Sequence, residues 1–248
     1  MTCEERLWTA VEIAREAGQM IVEARRGNRY TSRYKSGQEL VTDADVAVDT
    51  RIGERLQAAF GDEERLSEEL SPEHGDLDRK GPLWVIDPID GTVNFAHGLR
   101  HVAVSIAWVL DGQTRLGVVH APFLGETYTA MAGRGATCNE LPIQASRTDT
   151  LDHCLVGTGF PYRREDRASL LRRLTAVLEQ CQDVRRNGSA ALDLCDVACG
   201  RLDALYESVS PWDMAAGWLI AREAGAKTGH LYPGPEESPR TCRARTCW

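Results

Sequence analysis

The chain has 248 residues, 42% hydrophobic and 27% charged, enough to bury a sizeable core as one large domain or two sub-domains. Its formal net charge of −8 argues against nucleic-acid or anionic-membrane partners, since both require a basic surface. No stretch approaches the ~20 consecutive apolar residues of a membrane span. Glutamates and arginines interrupt every apolar run of the N-terminus, so no signal peptide is read and a cytoplasmic location is expected.

Leu7, Val11, Ala14, Ala17 and Ile21 mark one face of a first helix. A second helix is signalled at Thr42 and Asp43, with Val46, Ile52, Leu56 and Phe60 as its apolar face. "PLWVID" reads as a short buried strand, and "HVAVSIAWVLDG", "RLGVVHAPFLG" and "ETYTAMAGRGAT" as antiparallel strands joined by glycine turns. Composition shifts near "LPIQASRTDT". Beyond it "HCLVGTGF" reads as strand, "REDRASLLRRLTAVLEQ" as helix and "DVRRNG" as a short strand. "SAALDLCDVACG" is helical, "LDALYES" a strand, and "PWDMAAGWLIAREAG" a helix introduced by Pro211. The alternation predicts a layered α/β protein of two sub-domains, 1–145 and 146–248. Eight cysteines are scattered without a Cys-x-x-Cys pair. Cys195 and Cys199 fall in a helical pattern and read as core thiols rather than zinc ligands.

The stretch "LWVIDPIDGTVNFAHG" concentrates two carboxylates at a strand end. Successive side chains of a strand point to opposite faces, so Asp87 and Asp90 converge only if the chain turns irregularly between them. Pro88 supplies no N–H and helps to interrupt the ladder there. With the Ile89 carbonyl, the two acids make a hard oxygen site of the kind that suits Mg²⁺ or Mn²⁺ rather than zinc. Gly91 lets the backbone approach a ligand closely. A helical turn starting at Thr92 would offer free amides to a phosphate. The alternative reading is an Asp-Pro turn followed by a helix cap.

"WVIDPIDGTVNF" resembles the first signature of the inositol monophosphatase family, and "PWDMAAGWLIAREAG" its second. "KSGQELVTDAD", "LSEE", "GTGFPYRR" and "RRNGSAALDL" are similar to its other blocks, in the same order. The resemblance implies an α/β/α/β/α sandwich, a homodimer, and Mg²⁺-dependent, lithium-sensitive hydrolysis of small phosphorylated polyols. It implies two or three metal ions, Mn²⁺ being an alternative, held by Glu68, Asp87, the Ile89 carbonyl, Asp90 and Asp213. It pairs Asp45 with Thr92, and places Lys35 near the site mouth. Gly188, Ser189 and Ala190 match a substrate-side loop, and Glu207 a residue that contacts inositol hydroxyls. Glu68, Ile89, Asp90, Gly91, Thr92 and Asp213 would then surround the substrate. Water would attack phosphorus, with Glu68 or the Thr92–Asp45 pair receiving or orienting its proton.

Inositol-1-phosphate is the substrate this reading favours. Histidinol phosphate, fructose 1,6-bisphosphate or a 3′-phosphonucleotide would need the same chemistry, and a non-catalytic binding protein is the remaining alternative. The interval from Glu207 to Trp212 is one residue shorter than is usual in the family, which bears on the reach of Glu207. The terminus 227–248 is expected to be a loose tail, truncated or frame-shifted, without the apolar strand and helix that usually follow the second signature. Its loss would leave a sheet edge unpaired.

Overall fold

The apolar stripe beginning at Leu7 forms α1 (Cys3–Arg26), started by a capping box between Thr2 and Glu5. β1 (Ser32–Tyr34) and β2 (Leu40–Thr42) pair antiparallel. Thr42 then caps α2 (Asp43–Phe60) reciprocally with Asp45. The computed structural model describes residues 1–27, 30–34, 40–72, 80–160, 167–229 and 245–247.

A seven-stranded sheet follows in chain order: β3 (Glu64–Ser67), β4 (Leu83–Asp90), β5 (Ala103–Leu110), β6 (Gln113–Ala121), β7 (Glu126–Met131), β8 (Ala136–Cys138) and β9 (Leu141–Pro142). The six-residue α3 (Thr92–His97) interrupts the run after β4. β3 and β4 are parallel and every later neighbour is antiparallel. Period-2 alternation sorts the side chains. Trp84, Ile86, Ile106, Leu116 and Val118 face α1 and α2 in one core. Val85, Ala103, Ala107, Val119 and Tyr128 face the opposite side.

That opposite side is covered by α5 (Ala190–Ala198) and α6 (Pro211–Glu223), through Ala191, Leu192, Cys195, Ala216 and Ile220. The other flank of the same two helices, with Leu194, Val197 and Met214, packs on Leu205 of a second sheet. This sheet comprises β10 (Leu155–Thr158), β11 (Asp183–Arg185), β12 (Ala204–Ser208) and β13 (Arg245–Cys247), in the order β11-β10-β12-β13. α4 (Arg167–Leu178) lies beyond it, where Val177 meets Val156 and Ala204. The layers are therefore α/β/α/β/α, as expected. Two pairs of helices and a lone one sandwich two sheets, so each sheet buries both faces.

The expected loose tail is corrected at one point. β13 pairs antiparallel with β12, Leu205 opposite Cys247 and Ser208 opposite Arg245. Three residues are too few to show a periodicity, yet the free edge of β12 supplies unpaired N–H and C=O groups that a short strand satisfies. No helix among the described residues is long and apolar enough to cross a membrane.

Candidate active site

The site forms where β4 loses its regularity. Asp87 pairs with Ser105 but Asp90 with Ala103, so three steps on β4 match two on β5. This is a β-bulge. Leu83 and Val85 pack on the α5/α6 side, and Asp87 follows them by alternation. Ile89 lies in the α1/α2 core, so Asp90 also faces α5 and α6. The extra residue thus turns two acids three positions apart onto one face. Pro88, without an N–H, leaves no ladder donor unpaired at the bulge.

Asp213, in the first turn of α6, completes the group. Carboxylate oxygens of Asp87, Asp90 and Asp213 all lie within 4.8 Å of one another. Glu68 arrives from the parallel neighbour. Its amide donates to the Ile86 carbonyl (3.3 Å), one residue before Asp87. Burial, and then the charges of Glu68, Asp90, Asp213 and Asp45, raise Asp87 well above the ordinary carboxylate value. Burial also raises Asp90, to about 6, against the opposing pull of the Ser189 and Ala191 hydrogen bonds. Like charges gathered at this depth repel one another, and a divalent cation relieves the repulsion. The donors are all hard oxygens. Such a set fits Mg²⁺ or Mn²⁺ and excludes the thiolate-rich chemistry of structural zinc.

A glycine turn lies beside the acids. Gly91, with φ of 91°, turns the chain from β4 into α3 in a left-handed conformation. A Cβ there would lie 2.9 Å from the His101 carbonyl oxygen. Only glycine fits. Thr92 begins α3, and its hydroxyl lies 3.0 Å from Asp45 Oδ1 and 3.1 Å from the Ile89 carbonyl. Its single proton serves one of them at a time. Asp45 is fully buried and its other oxygen accepts from the Thr42 amide (2.8 Å) and hydroxyl (2.5 Å). Burial raises Asp45 above its ordinary value, with the Thr42 and Thr92 hydrogen bonds working against it.

The stretch expected on the substrate side proves to be tied to Asp90. Ser189 Oγ donates to Asp90 Oδ2 (2.5 Å), as does the Ala191 amide (2.7 Å), while the Ala190 amide reaches Oδ1 (3.3 Å). Asp90 therefore closes the N-terminus of α5. Gly188 lies against Asn94, whose Nδ2 donates to the His101 (2.7 Å) and Asn187 (2.8 Å) carbonyls. Glu207, on β12, sits directly over Gly159, where a Cβ would fall 1.4 Å from its Oε1. Burial, then the charges of Asp193, Asp213 and Asp90, push Glu207 up to about 8. Lys35 lies outside the described residues, as do residues 161–166 of the "GTGFPYRR" block.

Sequence reasoning missed Asp49, Asn94, His101 and Asp193, all hydrogen-bonded around these groups. Asp193 is buried, with His101 Nε2 at 3.2 Å and Asn187 Nδ2 at 2.8 Å. Asn94 stood inside "GTVNF", two residues past the threonine. Asp49 stood four residues after Asp45 among the buried positions of an apolar helix face, an unusual place for an acid.

Fold and site define a layered α/β protein with a cluster of acids that could hold metal, beside a glycine turn at the start of a short helix. The sequence profile of the inositol monophosphatase family matches residues 3–247, and the chain belongs to that family. It is 39% identical over 233 residues to the Nus factor SuhB of Pasteurella multocida, covering 90% of this chain and 86% of that one. It is 38% identical over 229 residues to inositol monophosphatase 1 of Solanum lycopersicum, covering 90% and 83%. The crystal structure of the extragenic suppressor protein SuhB from Bartonella henselae superposes with a TM-score of 0.84 at 34% identity, over 90% of this chain and 86% of the other.

Proposed function

We propose that the protein is a Mg²⁺-dependent phosphate monoester hydrolase acting on small phosphorylated polyols, inositol-1-phosphate first among them. The observation that carries this reading is the convergence of Asp87, Asp90 and Asp213 within 4.8 Å beside the Gly91–Thr92 turn. Glu68, Asp87, the Ile89 carbonyl, Asp90 and Asp213 would hold the metal. When bound, Mg²⁺ lowers the pKa of water and neutralises charge on the departing oxygen. The chain's own groups do the rest. Amides at Gly91 and Thr92 orient the phosphate and stabilise the charge that builds on it in the transition state. The Thr92 hydroxyl, fixed by Asp45, orients the attacking water and relays its proton, with Glu68 as the other acceptor. Glu207 and the loop at Gly188–Ala190 line the side on which the polyol lies. The tomato relative's name supports inositol phosphate as substrate, and the division near residue 145 separates the two sheets that meet at the site. A cytoplasmic homodimer completes the proposal.

The Nus factor name of the Pasteurella relative favours a second reading, a regulatory protein that keeps the acids without turnover. Phosphate release from inositol-1-phosphate separates the two. Wild type should require Mg²⁺, be inhibited by Li⁺, and lose activity by ~10²-fold or more in Asp90→Asn, because a metal-held charge worth several kcal/mol is removed. Near-normal turnover by Asp90→Asn would defeat the metal assignment, and no turnover by wild type on a panel of small phosphate esters would favour the regulatory reading.

A further inference from the structure

We infer that Asp49 is a positioning residue for Glu68, fixing the turn after β3 against the helix that also holds Thr92. The inference rests on the reading of Glu68 as a metal-holding acid. Asp45 and Asp49 stand four residues apart on α2 and so project from one face, one turn apart. Each grips a different strand end. Asp45 holds Thr92 beyond β4 (3.0 Å). Asp49, only 3% exposed, accepts from the Leu70 amide at Oδ2 (3.0 Å), and the Ser67 hydroxyl and the Glu69 amide lie close enough to favour its charged form. Polar hydrogens from residues on either side of Glu68 therefore face one carboxylate. Ser67 Oγ in turn accepts from the amides of Leu70 (3.3 Å) and Ser71 (3.1 Å), which closes the turn on itself.

A buried carboxylate is costly unless polar groups compensate it, and this turn supplies them. The turn gains a fixed height in return. Glu68 is tied to β4 by its own amide at the Ile86 carbonyl (3.3 Å), and Asp49 ties the far end of the turn to α2 through the Leu70 amide (3.0 Å). Through α2, the acid from β3 and the acids and threonine from β4 are held in one frame. An aspartate is required, because asparagine has one acceptor oxygen and would aim its NH₂ at a donor of the turn.

The test uses the full chain and Mn²⁺ alone as probe. Free Mn²⁺ is counted by electron paramagnetic resonance for wild type, Asp49→Asn, Glu68→Gln and the double variant, with circular dichroism as the check on folding. Orienting groups behind a metal ligand typically contribute ~10–100-fold in affinity. Asp49→Asn should therefore weaken Mn²⁺ binding by ~10-fold or more with the fold intact, and should add less than about 2-fold once Glu68 is already Gln. Wild-type Mn²⁺ affinity in a folded Asp49→Asn would overturn the inference, as would an undiminished effect in the Glu68→Gln background. If Asp49→Asn does not fold, Asp49→Glu keeps the acceptors on a longer arm and should weaken Mn²⁺ binding in the same direction; unchanged affinity there assigns Asp49 a structural role only and overturns the inference. Glu68→Gln with wild-type Mn²⁺ affinity and turnover would instead sink the reading of Glu68, whatever Asp49 does.

Discussion

The Ser189 hydroxyl donates to Asp90 Oδ2 at 2.5 Å, joining residues 99 positions apart in the chain. Both are buried, so the bond spans the junction between the first sheet and the helix layer without competition from water. Hydrogen bonds to a charged partner contribute ~1.5–3 kcal/mol. Ser189→Ala should therefore lower the melting temperature by ~3–12 °C, at the ~2–4 °C per kcal/mol expected of a chain this size. Differential scanning fluorimetry measures it. Mg²⁺ should restore part of the loss, since a cation takes over the stabilisation of the Asp90 charge. An unchanged midpoint would show that the Ala191 amide alone suffices for Asp90.

Thr92 offers a sharper test of chemistry as opposed to folding. Its hydroxyl contacts Asp45 at 3.0 Å while its backbone starts α3, so the two roles separate by substitution. Thr92→Ser keeps the hydroxyl and should retain activity within ~10-fold of wild type. Thr92→Val keeps the shape and should lose ~10²–10⁴-fold in kcat, the range for a positioned proton-transfer group. Steady-state phosphate release on both variants decides the matter. Equal losses in Ser and Val variants would make Thr92 a packing residue.

How much of this site could be read in advance depends on which residues advertise themselves locally. Asp87 and Asp90 did, because two acids at the end of an apolar strand have few structural explanations, and Pro88 between them marked the bulge. The helices did as well, through Leu7 to Ile21 and through the Thr42 cap. Ser189 did not. A serine before a helix reads the same whether it faces substrate or a carboxylate brought from residue 90, and only tertiary packing chooses Asp90. Asp49 was hidden differently: at a helical position beside Val48 and Ile52 an acid passes as a flaw in amphipathicity until the turn at Ser67–Leu70 is seen on it. The strand Arg245–Cys247 is set by the edge it pairs with, and its own residues carry no pattern.

Gly159 and Glu207 yield a prediction about substrate recognition. The Glu207 carboxyl occupies the space of the side chain that Gly159 lacks, with 1.4 Å between a Cβ and Oε1 and 1.8 Å to Cδ. Gly159→Ala must displace that carboxyl. If Glu207 receives polyol hydroxyls, KM for inositol-1-phosphate should rise ~2–12-fold, as expected for losing a hydrogen bond worth ~0.5–1.5 kcal/mol. Phenyl phosphate, with no hydroxyl to offer, should be hydrolysed at an unchanged kcat/KM. A parallel rise for both esters would place the effect on the phosphate side instead.

His120 makes stability depend on pH at a distance from the acids. Burial, with a smaller contribution from Arg15 and against the Glu126 backbone bond, lowers it to about 4 from an ordinary 6.5. Its Nδ1 lies 3.0 Å from Thr127 Oγ1, and its ring fills the space beside Gly18. Between pH 4 and 6.5 the unfolded chain binds a proton there that the folded chain refuses, so stability rises with pH across that window. The contribution is complete above about pH 6.5 and is lost as pH falls towards 4, at up to ~1.4 kcal/mol per pH unit and on the order of 3 kcal/mol in all. His120→Asn keeps a polar partner for Thr127 but does not titrate. Urea unfolding at pH 4.5, 5.5, 6.5 and 7.5 should show the wild type losing stability relative to the variant only in the two lower samples. Parallel curves would mean that the imidazole is solvated in the folded protein.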